Sequence, residues 1–321
     1  MMTIVQGRQI ILSVRNLKQY FNEGKKNEVR ALNNISFDVY KGETFGLVGE
    51  SGSGKSTTGR AIIKLSDITS GSITFKGKDI TKINNRKDSL EFRKSMQMIF
   101  QDPYASLNPK MSIMEIIGGA LDVHGMYPSR KERNERVYEL LETVGLSREF
   151  ASRYPREFSG GQCQRVGIAR ALAVKPDFII ADEAISALDV SIQAQVVNLL
   201  KKLKINRELT YMFIAHDLSM VKYISDRIAV MNAGRILELA TSDELYKAPL
   251  HPYTESLLSA NPTPYPDDER KRHRIYYDSK YHTYDDETKV GLNEIAPEHF
   301  VYCHEDEIPH YVKKYKQLCK K

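Results

Sequence analysis

The sequence predicts an α/β fold, a mostly parallel sheet covered on both faces by helices, and three observations predict it. Short apolar runs of strand length recur at Phe45–Val48, Phe178–Ala181 and Tyr211–Ala215. Helical spacing fills the gaps between them, as in the stripe Ile192, Val196, Leu199, Leu200 and Leu203. The first of these strands runs at once into a glycine-rich turn and a helix. Strands buried on both faces read as continuous apolar runs, and their alternation with amphipathic helices is the pattern of a parallel sheet.

Taken in order, Ile10–Val14 and Ile35–Val39 read as strands, with Asn22–Asn27 between them as a loop. After Phe45–Val48 a helix is expected from near Lys55, ending by Ser70-Gly71. Ser72–Phe75 and Lys78–Ile80 flank Gly77 as a hairpin. Residues of roughly 103–172 read as a helical insertion. Within it Ser129-Arg130-Lys131-Glu132 has the Ser-x-x-Glu spacing of a capping box. Val137, Leu140, Leu141 and Val144 then follow at helical spacing, and Gly145 supplies the stop. Strand–helix alternation resumes at Phe178. From Asn261 to Lys289 the composition turns to Pro, Tyr and charge, which reads as an irregular linker or a loosely packed extension.

Composition removes several classes. With 321 residues, 41% hydrophobic and 27% charged, the chain is long enough and apolar enough to bury a core. No run approaches the length that crosses a bilayer, and Ile10-Ile11-Leu12 is too short for a secretory core, so a cytosolic location is expected. Cys163, Cys303 and Cys319 are too few and too scattered for a disulfide framework or a structural zinc site. The net charge of +6 suits a nucleotide or nucleic-acid partner only weakly, because the basic cluster Arg270–Arg274 is preceded by Asp267-Asp268-Glu269 and makes a mixed, solvated segment.

Gly49-Glu50-Ser51-Gly52-Ser53-Gly54-Lys55-Ser56 matches G-x-x-x-x-G-K-[ST] in full and sits between a strand and a helix. Glycines let the backbone wrap phosphate closely, and main-chain amides with the helix start supply positive potential. In this pattern Lys55 reaches the β- and γ-phosphates, and Ser56 offers its hydroxyl to Mg²⁺. Asp182 and Glu183 follow the apolar strand ending at Ala181. There the first carboxylate suits Mg²⁺ and the second suits an attacking water. A second glycine-led helix start, Ser159-Gly160-Gly161-Gln162, makes another anion site.

With these residues in hand, the chain resembles the ABC ATPase family over roughly residues 8–250. Ser159–Gln162 resembles that family's defining motif, with Phe158 where leucine is usual. Gln101 matches its Q-loop glutamine, Ser186-Ala187-Leu188-Asp189 its D-loop, and His216 its H-loop histidine. Ala184 stands where many members have proline. Tyr20 lies where the family places an aromatic that stacks on adenine, with Phe21 as runner-up. Each match alone is weak: a lone histidine after a strand is usually structural, and a lone tyrosine in a β-rich N-terminus is usually core. Their shared order carries the signal.

The resemblance implies a P-loop, RecA-like ATPase core with an N-terminal antiparallel β subdomain and a helical insertion, spanning 1–255. A small extension, 256–321, follows. It implies ATP and Mg²⁺ as ligands, with Ser56, Gln101 and Asp182 at the metal, Gly49–Ser56 and Thr57 at the nucleotide, and Lys55, Gln101, Glu183 and His216 in catalysis. In that family two ATPase domains face head to tail. Ser159, Gly160, Gly161, Gln162 and Asp189 would therefore serve the partner's nucleotide.

Narrower resemblances point to oligopeptide/dipeptide importers. They are Gln101–Pro109, Ser186–Gln195, His251-Pro252-Tyr253-Thr254 and Phe158–Arg165. Glu294–Val301 resembles the tail of the F-type subunit of that importer. The implied partners are a second, different ATPase subunit, two membrane permeases and, indirectly, a peptide-binding protein. The implied place is the cytoplasmic face of the membrane, and no nucleic acid is expected. Some relatives carry a four-cysteine iron–sulfur cluster in the extension. Only Cys303 and Cys319 lie there, so none is expected. The alternative, a soluble ABC-type ATPase acting on ribosomes or nucleic acid, is weakened by the single P-loop and the lack of a sustained heptad run.

Overall fold

The structure, a computed structural model, describes residues 4–5, 7–260, 274–282, 284 and 287–320. Residues 261–273 of the expected linker, with all of the basic cluster but Arg274, lie outside them.

The described chain builds two sheets. The N-terminal one is antiparallel. Its strands are β1 (Ile4–Val5), β2 (Arg8–Phe21), β3 (Val29–Tyr40), β5 (Ser70–Phe75) and β6 (Lys78–Asp79). β2 is the centre, pairing β3 on one side and β5 on the other. The β5–β6 hairpin closes through Lys76 and Gly77, both at positive φ, as a two-residue turn between right-twisted strands requires. Both long strands extend well past the expected segments, because pairing partners rather than apolar content set where they stop.

The second sheet runs in the order β12-β13-β11-β10-β4-β9-β8-β7. Its strands are β4 (Thr44–Val48), β7 (Met96–Ile99), β8 (Phe178–Asp182), β9 (Thr210–Ala215), β10 (Arg227–Asn232), β11 (Arg235–Thr241), β12 (Val290–Ala296) and β13 (His299–His304). From β10 through β4, β9 and β8 to β7 the neighbours are parallel. Every residue of β4, β8 and β9 is buried, which explains their unbroken apolar runs. Burying each such Phe, Ile or Leu stabilises the fold by roughly 1.5–3 kcal/mol.

The helices are α1 (Lys55–Ile62), α2 (Arg86–Ser95), α3 (Ile113–Val123), α4 (Arg130–Thr143), α5 (Gly160–Ala173), α6 (Val190–Arg207), α7 (Leu218–Ile224), α8 (Ser242–Lys247) and α9 (Pro252–Ala260). A further helix spans Ile308–Leu318. The insertion packs α3, α4 and α5 together through Ile117, Leu121, Leu140, Leu141 and Val166. At the start of α4 only half of the expected capping box forms. Ser129 Oγ accepts the Glu132 N–H at 3.2 Å, but the Glu132 carboxylate takes the Ser129 hydroxyl rather than its backbone. Complete boxes open α3, at Ser112–Glu115, and α5, at Ser159–Gln162.

β12 and β13 extend the second sheet through β13–β11 pairing. The joint is held by one buried carboxylate. Glu238 accepts the Leu250 and His251 N–H groups at 2.8 and 2.9 Å and meets His299 Nε2 at 2.7 Å. The stretch expected to be loosely packed is ordered by contacts where it is described: Tyr277 and His282 pack on His251, and Tyr277 on Tyr253.

Candidate functional site

Four parallel strands end side by side, and each delivers a site residue from its carboxyl end. That edge is where open α/β sheets bind ligands. β4 leads into Gly49–Lys55, β9 into His216, β8 ends at Asp182, and β7 is followed by Phe100 and Gln101. A cleft of about 460 Å³ opens there, lined by Ser51, Gly52, Gly54–Thr57, Gln101 and Glu183.

The loop has no room for side chains at its two ends. A Cβ at Gly49 would strike the Met231 carbonyl, and one at Gly54 the Ala31 carbonyl. Gly54 also caps α1 at φ 106°, a conformation that only glycine adopts readily. Lys55 is buried, and its Nζ donates to the Gly49 and Glu50 carbonyls at 2.8 and 2.7 Å and to Ser53 Oγ at 3.3 Å. Burial pushes its ammonium below the ordinary value, while Glu183 and Asp182 pull it back up. Glu50 and Ser51 are exposed at the rim.

Ser56 Oγ donates to Asp182 Oδ1 at 2.7 Å. Burial raises the Asp182 carboxyl above its usual range, and the Ser56 hydroxyl works against that shift. A hydroxyl and a buried carboxylate in contact are hard oxygen donors, so these residues fit Mg²⁺. Gln101 Nε2 donates to Glu183 Oε2 at 2.7 Å, and His216 Nδ1 stands 3.9 Å from the same oxygen. Glu183 sits at φ 45°, a strained position for a non-glycine residue, with its N–H on the Ile214 carbonyl at 2.9 Å. That turn swings its carboxylate out of the strand line towards Gln101.

Other residues named from the sequence lie apart. Tyr20 is half-buried. Its hydroxyl meets the Asn33 amide at 3.0 Å, and the Arg30 guanidinium covers its ring at 5.3 Å. Arg30 lines the cleft and Tyr20 does not. Phe21, the runner-up, is 46% exposed. Ser159–Gln162 contribute nothing to the cleft lining. Their side chains close a capping box instead: Ser159 Oγ accepts the Gln162 N–H at 3.3 Å, and Gln162 Oε1 accepts the Ser159 N–H at 2.9 Å. Asp189 precedes α6, exposed and making no side-chain cap.

Sequence reading missed the β10–β11 turn. Ala233 and Gly234 line the cleft, and the Gly234 N–H donates to the Ser53 carbonyl at 3.0 Å. Asn232-Ala233-Gly234 between two apolar runs is a hairpin signal that would have found the turn, though not its contact.

With this geometry in view, comparisons with known proteins agree. The ABC transporter family model matches residues 32–186, and that of the oligopeptide/dipeptide transporter C-terminal region matches 237–283. The chain is 60% identical to the Bacillus subtilis (strain 168) oligopeptide transport ATP-binding protein OppF, over 92% of this chain and 97% of that one. It is 55% identical to the Lactococcus lactis subsp. cremoris dipeptide transport ATP-binding protein DppF, over 94% of this chain and 97% of that one. Among solved structures it resembles the ATP-binding cassette MJ0796, seen as a dimer in a post-hydrolysis state bound to ADP and Pi. The TM-score is 0.65 at 29% identity, covering 72% of this chain and 98% of that one.

Proposed function

The chain belongs to the oligopeptide/dipeptide transport ATP-binding proteins of the ABC transporter family, and from that premise we propose how its residues bind and hydrolyse ATP and what they drive. ATP binds at Gly49–Thr57. Lys55 leaves its loop carbonyls for the β- and γ-phosphates, and the main-chain amides of the loop surround them. Ser56, Asp182 and Gln101 would hold Mg²⁺, which would supply positive charge beside the phosphoryl oxygens. Glu183 orients and deprotonates the attacking water, with Gln101 and His216 fixing its carboxylate. Tyr20 is the stacking surface for adenine once Arg30 moves off its ring.

The observation that supports this most is that Lys55, Ser56, Gln101 and Glu183 line one cleft, with Ser56 on Asp182 and Gln101 on Glu183, both at 2.7 Å. A lysine, a metal-type oxygen pair and a base held by an amide are what phosphoryl transfer needs, since it is catalysed by positioning and electrostatics.

In the assembled transporter the chain pairs head to tail with a second ATPase subunit, a different chain. Ser159–Gln162 and Asp189 then complete the partner's site. Two permeases hold the pair on the cytoplasmic face of the membrane, and a peptide-binding protein delivers oligopeptide cargo to them. Among the described residues no helix is long and apolar enough to cross a membrane. ATP turnover by the isolated chain against turnover in a reconstituted membrane complex tests this. Strong stimulation by the complex with peptide-loaded binding protein is expected. Stimulation by RNA or ribosomes instead would favour the alternative reading.

A further inference from the structure

We infer that the Tyr253 hydroxyl positions the phosphate-binding loop, holding the Gly49–Glu50 peptide when Lys55 turns to the nucleotide. The inference rests on Gly49–Ser56 being the ATP site. The Glu50 N–H donates to Tyr253 Oη at 3.2 Å, from a residue 203 positions further along the chain. The other end of the same peptide, the Gly49 carbonyl, accepts from Lys55 Nζ at 2.8 Å. The peptide is thus fastened twice in the nucleotide-free protein. The three N–H groups of Lys55 are all taken, by the Gly49 and Glu50 carbonyls and Ser53 Oγ, so binding phosphate loosens its hold on the loop. Tyr253 is then the side chain that still holds the peptide plane.

The tyrosine is itself firmly held, which a positioning group requires. It is 3% exposed, and its ring packs edge-on against Tyr277 at 5.3 Å. Its N–H donates to His251 Nδ1 at 3.1 Å. His251 thereby caps α9, and Pro252 opens it, where a missing N–H is no loss. Burial lowers the His251 pKa to about 3, so the imidazole is neutral and Nδ1 keeps its lone pair for Tyr253. The His251 N–H is in turn fixed on Glu238, and Glu238 on His299 of β13. The His-Pro-Tyr run therefore has a role for each member: cap, helix start and prop for the loop. Through it the β12–β13 extension is tied to the ATP site.

The test compares Tyr253→Phe with Tyr284→Phe in the full chain. The Tyr284 hydroxyl lies in the same aromatic layer but donates to Glu307 at 2.6 Å. Readouts are affinity for a fluorescent ATP analogue with Mg²⁺, hydrogen exchange at the Glu50 amide and the nucleotide-free melting temperature. Tyr253→Phe should weaken binding about fivefold, the effect of one lost hydrogen bond. It should also speed Glu50 exchange while barely moving the melting temperature. Tyr284→Phe should leave affinity unchanged. Wild-type affinity in Tyr253→Phe, or equal weakening in both variants, would overturn the inference. Failure of the wild-type chain to bind the analogue, or Lys55→Ala binding it as tightly as wild type, would overturn the ATP-site reading instead.

Discussion

Two helices begin with glycines suited to phosphate, and they begin in opposite ways. α1 starts from a left-handed Gly54 with no side-chain acceptor for its amides, and its first residue is a buried lysine folded back onto loop carbonyls. α5 starts from Ser159 with a complete capping box, clamped from outside by Tyr104 Oη on the Phe158 carbonyl at 2.9 Å. The first N–H groups of a helix have no partner within it. At α1 they face the chain's own cleft beside a cation and a metal-type oxygen pair. At α5 Ser159 takes the Gln162 N–H, and the half-buried Gly160 and Gly161 are left with amides that have no intrahelical acceptor. The lesson is one of rigidity. A start that leaves its strain and its charge for a ligand is a binding site in its own right. A start closed by its own capping box is a stiffer surface element, and its two bare glycine amides suit a ligand held elsewhere.

The largest effect expected at the α1 site is on turnover. Glu183→Gln should keep ATP affinity within about twofold and cut hydrolysis by about 10²–10⁴-fold, the range of a lost general base. Normal hydrolysis by that variant in a phosphate-release assay would remove Glu183 from the chemistry. Lys55→Ala comes next. Losing a charged hydrogen-bond donor costs about 2 kcal/mol, so equilibrium binding should weaken roughly thirtyfold. At α5 the same kind of truncation should act differently. Ser159→Ala removes a cap, lowering stability by about 1 kcal/mol in urea unfolding, and should leave nucleotide affinity of the isolated chain untouched. A loss of affinity there would erase the contrast between the two starts.

The smallest effect concerns the buried carboxylate at the end of β8 that Ser56 of α1 touches. The Asp182 carboxyl is raised above its unfolded value, chiefly by burial. The folded protein therefore holds that proton more tightly than the unfolded one, and ionisation weighs against folding at neutral pH. The penalty fades as pH falls through the raised value towards 3.8. Asp182→Asn should then be slightly more stable than wild type at pH 7 without Mg²⁺, with the difference vanishing in acid. A less stable variant at pH 7 would contradict the assigned direction.

What could be read from the sequence was what neighbouring residues decide. The phosphate loop, the strand ending in Asp182 and the α5 start are contiguous, and each needs residue types at fixed spacing. The apolar runs of β4, β8 and β9 were legible because both faces are covered. The strands β11 to β13, at the antiparallel end of the second sheet, were not, because polar residues such as Glu238, Asn293 and His299 break their apolar runs and pairing defines them. The Gln101–Glu183 contact spans 82 residues and the Tyr253–Glu50 contact 203, distances over which spacing carries no information. Tyr20 was legible as an aromatic in the right place, but the Arg30 guanidinium over its ring was not.

Head-to-tail pairing requires that the α5 start serve the partner's nucleotide and not this chain's own. Photoaffinity labelling with a reactive ATP analogue, in the complex with both ATPase subunits, decides it. An added Cβ at Gly160 meets only ordinary contacts with Leu188 and Tyr104, so Gly160→Asp brings a negative charge to a position where its Cβ has room. The prediction is that this variant loses label on the partner subunit and keeps it on this chain, while Lys55→Ala does the reverse. Loss of this chain's own label in Gly160→Asp, with the partner's retained, would contradict it.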